Sequence, residues 1–276
     1  MFNLKQIYKK RDPFVHKGNF GRLLIIGGSW MFTGSPIFNA MSALRAGCDL
    51  VFVFAPERAA NIAATKKPDI ITIPYDGNFL TRKQILNLNQ VIKTQRISAV
   101  VIGGGLGRER ETFLAIRTII AALTLPMCID ADAIRALPKN LQTLENKKAV
   151  LTPHADEFQQ LTGEAIKPDV TFRKEKVRKW ARTLGVPILV KGAIDVVSSG
   201  EEVYLNRTGS VYMTKGGFGD TLAGICGALL ARNVSPFDAL CAATYINGRA
   251  GELAVKQYGE GVIASDIFKM IPKVIS

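Results

Sequence analysis

LLIIGGSWMFTGSPIFNAMSALRAGCDLVFVFAP, residues 23–56, holds three patterns in one run. It opens on four aliphatic residues that end at Gly27-Gly28, continues with an apolar series at helical spacing in SPIFNAMSALRAG, and closes on DLVFVFAP, a second unbroken β-branched and aromatic run. Strands apolar on both faces belong to a parallel sheet covered on each side by helices. Strand, helix and strand in succession then form a right-handed crossover. The same alternation recurs along the chain. DIITIP, SAVVIGG, PMCID, AVLTPH and PILVKG read as further buried strands, with RKQILNLNQVIK, RETFLAIRTIIAAL and FRKEKVRKWARTLG as helices among them. DVVSSGEEVYLN, 195–206, changes the rhythm. It reads as a hairpin around Ser199-Gly200, so antiparallel strands follow the parallel ones at one edge. The remaining third is helical, in GDTLAGICGALLARN, SPFDALCAATYINGRAGELAVKQYG and SDIFKMIPKVI. The expected fold is α/β: a three-layer sandwich with a mostly parallel central sheet, helices on both faces and antiparallel edge strands. No internal repeat, low-complexity tract or linker appears, so one domain over residues 1–276 is expected.

With 276 residues, 47% of them hydrophobic, the chain can bury a large core without staples. Charge or glycine interrupts every apolar run before the ~18 residues of a membrane span, and MFNLKQIYKKRDPF is too charged for a signal peptide. A cytoplasmic protein without a membrane partner is therefore expected. The four cysteines form no C-x-x-C pair and there are two histidines, which argues against structural zinc or a disulfide framework. Cys48 and Cys128 sit in apolar surroundings and read as buried hydrophobes. The formal charge of +13 attracts anions of any kind. Its basic residues are dispersed, without aromatic interleaving or a basic helix-turn-helix pattern, so polyphosphate ligands fit better than nucleic acid.

In an open α/β sheet, ligands gather beyond the carboxyl ends of the strands, so the loops there carry the chemistry. Gly27-Gly28 is either a tight βα turn or a phosphate loop, since it has neither a Walker lysine nor G-x-G-x-x-G spacing. Gly103, Gly104, Gly105 and Gly107 in VVIGGGLG allow close backbone approach to a ligand or to a neighbouring helix. In CIDADAI, Asp130 and Asp132 suit a sugar hydroxyl or a metal-bound water, while Asp132 equally suits a cap on the short helix AIRAL. LTPHADEF reads as a helix start, with Thr152 as N-cap, Pro153 at the first position, and Asp156 and Glu157 at the positive end of the dipole. His154 is the surplus there, a pocket residue or an idle one. Lys191-Gly192, at the end of ILVKG, is either a nucleotide contact or a snorkelling lysine.

TKGGFGDTLAGICGALL, 214–230, differs in kind. Glycines feeding a helix N-terminus leave N–H donors pointing one way, with the charge of Lys215 beside them, so an anion hole is expected here over a plain turn. A carboxylate beside a transferring phosphoryl group is repelled by it. Asp220 is therefore either a helix cap or the base that removes a proton from the hydroxyl being phosphorylated.

From HKGNFGRLLIIGGS through VVIGGGLG, IDADAI, LTPHADEF and LVKGAIDVV to NRTGSVYMTKGGFGDTLAGICGALLA, the chain resembles the ADP-dependent NAD(P)H-hydrate dehydratases, metabolite-repair enzymes of the ribokinase-like superfamily. The resemblance implies that a nucleoside di- or triphosphate, ADP or ATP with Mg2+, phosphorylates the hydroxyl of a hydrated nicotinamide ring. Phosphate then leaves and NADH or NADPH is restored. By the same resemblance, Asp220 is the base and the amides of Gly216, Gly217, Phe218 and Gly219 form the anion hole. Lys191, Gly192, Ala193, Ile194 and Asp195, with Gly219, hold the adenine nucleotide. Ala40, Gly107 and His154, together with Asp220, line the hydrated-cofactor site. Phe218 stands where such proteins usually have threonine, and Ser210-Val211 where they have Asn-Pro. The rival reading is a ribokinase-like kinase of a vitamin precursor such as hydroxymethylpyrimidine, hydroxyethylthiazole or pyridoxal. The Ala-, Gly- and Met-rich helices suggest a homo-oligomer.

Overall fold

A computed structural model describes residues 2–139 and 141–276. Its strands are β1 (Arg22–Ile26), β2 (Leu50–Pro56), β3 (Ile71–Tyr75), β4 (Ala99–Ile102), β5 (Met127–Ile129), β6 (Ala149–Leu151), β7 (Ile188–Val190), β8 (Asp195–Ser198) and β9 (Val203–Asn206). They form one nine-stranded sheet in the order β3-β2-β1-β4-β5-β6-β7-β8-β9. The pairs from β3 across to β7 are parallel, and β7-β8 and β8-β9 are antiparallel, as the hairpin at Ser199-Gly200 requires.

Successive residues of a strand face opposite sides of the sheet, and both sides are covered. Leu23 and Ile25 of β1 enter a core shared with the helices Ser35–Arg45, Phe218–Ala231 and Pro236–Tyr258. Leu24 and Ile26 enter the opposite core, beneath the helices Ile85–Thr94, Arg110–Ala122, Ala155–Thr162 and Val170–Leu184. All four cysteines are free and buried. No helix among the described residues is long and apolar enough to cross a membrane.

A helix at Glu57–Lys66 has no counterpart in the apolar periodicity, because the side chains it buries, Ala59, Ala60 and Ala63, are only methyl groups. The C-terminal segment is helical in two short pieces, a 3₁₀ stretch at Ala264–Lys269 and an α-helix at Ile271–Ile275.

Two features of this frame place the site. β1 lies between β2 and β4, so the connections leaving β1 and β4 diverge and open a crevice beyond their carboxyl ends. The helix Phe218–Ala231 is buried on nearly every side, and its N-terminus is brought over that crevice. The close approach needs glycine at 224, where an added Cβ would stand 2.2 Å from the Asn39 carbonyl of the helix Ser35–Arg45.

Candidate active site

The helix that carries Asp220 starts from Gly217, a left-handed residue with φ of +97°. A Cβ at Gly217 would stand 2.8 Å from the Ala264 side chain, so the sequence needs glycine here for both conformation and space. The first helical bond runs from Thr221 N to Gly217 O at 2.9 Å, which leaves the amides of residues 217–220 without an intrahelical partner at the positive end of the dipole. Asp220 lies within the first turn and caps nothing. The Phe218 ring is buried, and its carbonyl accepts from Thr221 Oγ1 (2.9 Å) and Asn247 Nδ2 (3.3 Å). Threonine's hydroxyl is thus absent, but the amide is held in place. The Lys215 ammonium donates to the carbonyls of Glu260 and Val262 and pins the loop to that segment, while Lys215 still borders the cavity beside the glycines.

Asp220 rests against Gly104, where a Cβ would come within 2.5 Å of its Oδ1. The Ser35 hydroxyl hydrogen-bonds the carboxylate, and Asn39 Nδ2 donates to the Asp220 carbonyl at 2.6 Å. Burial and, after it, the nearby Asp130 push the Asp220 carboxyl up to about 7, against the Ser35 hydrogen bond and the Lys191 charge, which lower it. A carboxylate so tuned accepts a proton near neutral pH.

Lys191 supplies that opposing charge from the end of β7. Its ammonium lies 3.1 Å from Asp130 Oδ1 and 3.9 Å from Glu157 Oε2, so it is held inside the site and does not snorkel. Burial alone would lower its pKa, but the three carboxylates of Asp130, Glu157 and Asp220 outweigh burial and raise it. Asp130, itself buried, also accepts from Thr152 Oγ1 at 2.7 Å. Thr152 is therefore a partner of Asp130, and the expected N-cap role passes to His154. His154 Nδ1 accepts from the amides of Asp156 (3.2 Å) and Glu157 (3.4 Å), and Pro153 stays outside the helix. Glu157 completes the box by accepting from His154 N at 3.0 Å and lies 3.2 Å from His154 Nε2. Asp132 does not cap AIRAL either; its Oδ2 accepts from Gly107 N at 2.9 Å.

The segment Lys191 to Asp195 turns back through its own last residue. Asp195 accepts from Gly192 N (2.9 Å), Asn206 Nδ2 (3.1 Å) and Thr244 Oγ1 (2.6 Å), so its carboxylate fastens the loop to β9 and the helix Pro236–Tyr258. From beneath, Arg173 Nη2 donates to the carbonyls of Val190 (3.0 Å) and Lys191 (3.2 Å).

Two large cavities meet at this place. One, of about 890 Å³, takes in Asp220, Gly216 to Gly219, Lys191, Gly192, Ala193, Asp195 and His154. The other, of about 850 Å³, lies over Trp30, Phe32, Gly105 and Gly107 and shares Ala131 and Glu157 with the first. Ile194 faces neither, but lines a smaller space of about 310 Å³ behind the loop. Ala40 is fully buried in the core and borders none of the three. Ser35 and Asn39 carry no sequence signal of their own, since one reads as a helix start and the other as an ordinary position a turn later. Among the described residues no group of three or more His, Cys, Asp or Glu side chains is placed to hold a metal ion.

A family profile described as NAD(P)H-hydrate dehydratase matches residues 23–273. A bifunctional NAD(P)H-hydrate repair enzyme from Pyrobaculum aerophilum is 42% identical over 94% of this chain and 51% of its own length. This chain thus spans about half the length of that relative. An ADP-dependent (S)-NAD(P)H-hydrate dehydratase from Cenarchaeum symbiosum is 38% identical over 97% of this chain and 92% of its own. Among solved structures, the ADP/ATP-dependent NAD(P)H-hydrate dehydratase of Bacillus subtilis, co-crystallised with ATP/Mg2+, superposes with a TM-score of 0.80 at 25% identity, over 99% of this chain and 96% of the other.

Proposed function

The chain belongs to the NAD(P)H-hydrate dehydratase family, and from that premise we propose that it uses an adenine nucleotide to dehydrate hydrated NADH or NADPH. The observation that carries this reading is the position of Asp220. One carboxylate with its pKa near neutrality lies at a helix end with free amides, in the wall of the cavity that also takes in Lys191 and His154. The nucleotide occupies the Lys191 side, with its terminal phosphate at the amides of Gly216, Gly217, Phe218 and Gly219. Lys191 and its carboxylates hold the local charge in balance. The hydrated ring enters from the Gly107 side.

Asp220 takes the proton from the ring hydroxyl as its oxygen attacks the terminal phosphorus, and the amides stabilise the charge on the transferring group. Loss of phosphate breaks the ring C–O bond. A proton leaves the adjacent ring carbon, and the carbon–carbon double bond of the reduced nicotinamide is restored. Mg2+ arriving with the nucleotide would supply neutralisation of phosphate charge.

The rival vitamin-precursor kinase shares the chemistry of phosphorylation but keeps the phosphate on its product. The two readings separate on stoichiometry. Purified protein with hydrated NADH, Mg2+ and either ADP or ATP is expected to release one NADH and one inorganic phosphate per nucleotide cleaved, and the faster nucleotide identifies the donor. A phosphorylated product that accumulates, without NADH, contradicts the proposal. The four free, buried thiols suit a reducing compartment and support a cytoplasmic enzyme. Self-association is read from the small-residue helices and is tested by sedimentation.

A further inference from the structure

Trp30, Met31 and Phe32 stand 55%, 71% and 50% exposed, an unusual expense of apolar surface in a loop that is otherwise tightly fixed. Trp30 N donates to the Asn78 carbonyl at 2.7 Å, and Arg58 Nε donates to the Trp30 carbonyl at 3.1 Å. Ser29 N donates to the Phe32 carbonyl, and Phe32 N donates to Ser29 Oγ, each at 3.3 Å. The loop is therefore built to hold these side chains in the open.

One face of the Trp30 indole is covered by the Arg58 guanidinium, 5.0 Å from the ring centroid. The ring also borders the cavity of about 850 Å³. That cavity shares Ala131 and Glu157 with the one that holds Asp220; Phe32 packs on Gly105, where a Cβ would stand 2.8 Å from its own, and the Asp220 carboxylate lies against Gly104 next to it. Of the acids that line it, Asp132 accepts from Gly107 N and Glu157 is engaged by His154 and Arg135, while the Glu109 carboxylate has no ion-pair partner among the described residues. Arg108, with a side chain 69% exposed, is tethered only loosely to Asp132 at 3.8 Å. A ligand that starts at Asp220 and leaves along this path meets a cation and then a flat, exposed aromatic ring.

We propose that Trp30 is the stacking platform for the adenine of the dinucleotide substrate, with Arg108 facing the diphosphate that joins its two halves. This rests on the dehydratase reading and deepens it, since it makes the enzyme specific for the whole dinucleotide rather than for the hydrated ring. Base stacking on an aromatic side chain contributes about 1–3 kcal/mol, roughly 5- to 150-fold in affinity.

The test compares hydrated NADH with hydrated reduced nicotinamide mononucleotide, which lacks the adenosine. Trp30→Ala is expected to raise KM for the dinucleotide about tenfold or more, with kcat and the nucleotide KM unchanged. KM for the mononucleotide stays at the wild-type value, and Trp30→Phe restores most of the loss. Equal effects on both substrates, or none, overturn the proposal. So does a Trp30→Ala protein that changes its sedimentation and neither KM, which would assign the patch to a second copy of the chain. Wild-type protein that turns over neither substrate sinks the dehydratase reading, and binding then decides the platform. The chain has two tryptophans, so in a Trp180→Phe background Trp30 fluorescence reports alone. NADH is expected to quench it saturably and the mononucleotide not; absence of quenching by NADH overturns the platform.

Discussion

On the Lys191 side of Asp220, polar side chains are tied to one another or to backbone: Lys191 to Asp130, Asp130 to Thr152, His154 to Glu157, Asp195 to Asn206 and Thr244. On the Trp30 side the loop backbone is tied down while its large apolar side chains stand half or more in solvent. The first arrangement suits charge that must not move while a phosphoryl group passes. The second suits a ligand recognised by shape and stacking, where the cost of exposed apolar surface is recovered on binding. Asp220 lines the first cavity and lies against Gly104, next to the Gly105 of the second, so the sharpest perturbations are those that shift it against one side at a time.

Among substitutions that leave Asp220 itself in place, the largest effect is expected from Gly104→Ala. Its new Cβ would fall 2.5 Å from Asp220 Oδ1, so the carboxylate must move away from both the hydroxyl and the free amides. A displacement of about 1 Å corresponds to roughly a 10²-fold loss in kcat. Gly107→Ala is the control: its Cβ meets nothing within 4 Å, and although φ of +88° strains it, kcat should fall only a few-fold. Steady-state kinetics and melting curves of both variants check this pair. Comparable losses in kcat would mean that the Gly104 contact does not position the base.

A smaller and differently shaped effect is expected from Lys191→Met. Removing the ammonium takes from Asp130 its ion-pair partner and leaves Arg135 and His154 to balance Glu157, so the fold is expected to lose stability, up to about 3–5 kcal/mol, in denaturant titration. The Lys191 charge lowers the Asp220 pKa, so its loss moves the rising limb of activity to higher pH. An unchanged limb would show that Lys191 does not reach Asp220 electrostatically.

The sheet was legible because its strands are apolar on both faces, and LLIIGG or SAVVIGG fits few other places. The helix Glu57–Lys66 was not, since the side chains it buries are alanines and its periodicity is nearly silent. Asp220 stood out against its glycines. Its supports did not: Asn39 reaches it across 181 residues of sequence, and Ser35 looks like any serine before a proline. The direction of Lys215 was also hidden, because a cation beside glycines reads as a phosphate contact until the carbonyls of Glu260 and Val262 claim it. Thr152 and His154 exchanged roles for a similar reason. Thr152 prefers the buried Asp130, which leaves the histidine nearest the helix amides.

The measurement that bears most directly on Asp220 is the pH dependence of kcat/KM for hydrated NADH, in wild type and in Asp220→Asn. A base must be ionised to act, and burial with Asp130 holds this one up to about 7. Wild-type activity is therefore expected to rise through pH 7 and level off above it, while Asp220→Asn falls about 10²- to 10⁴-fold and shows no such limb. A variant that keeps wild-type activity, or that keeps the same limb, would place the base elsewhere.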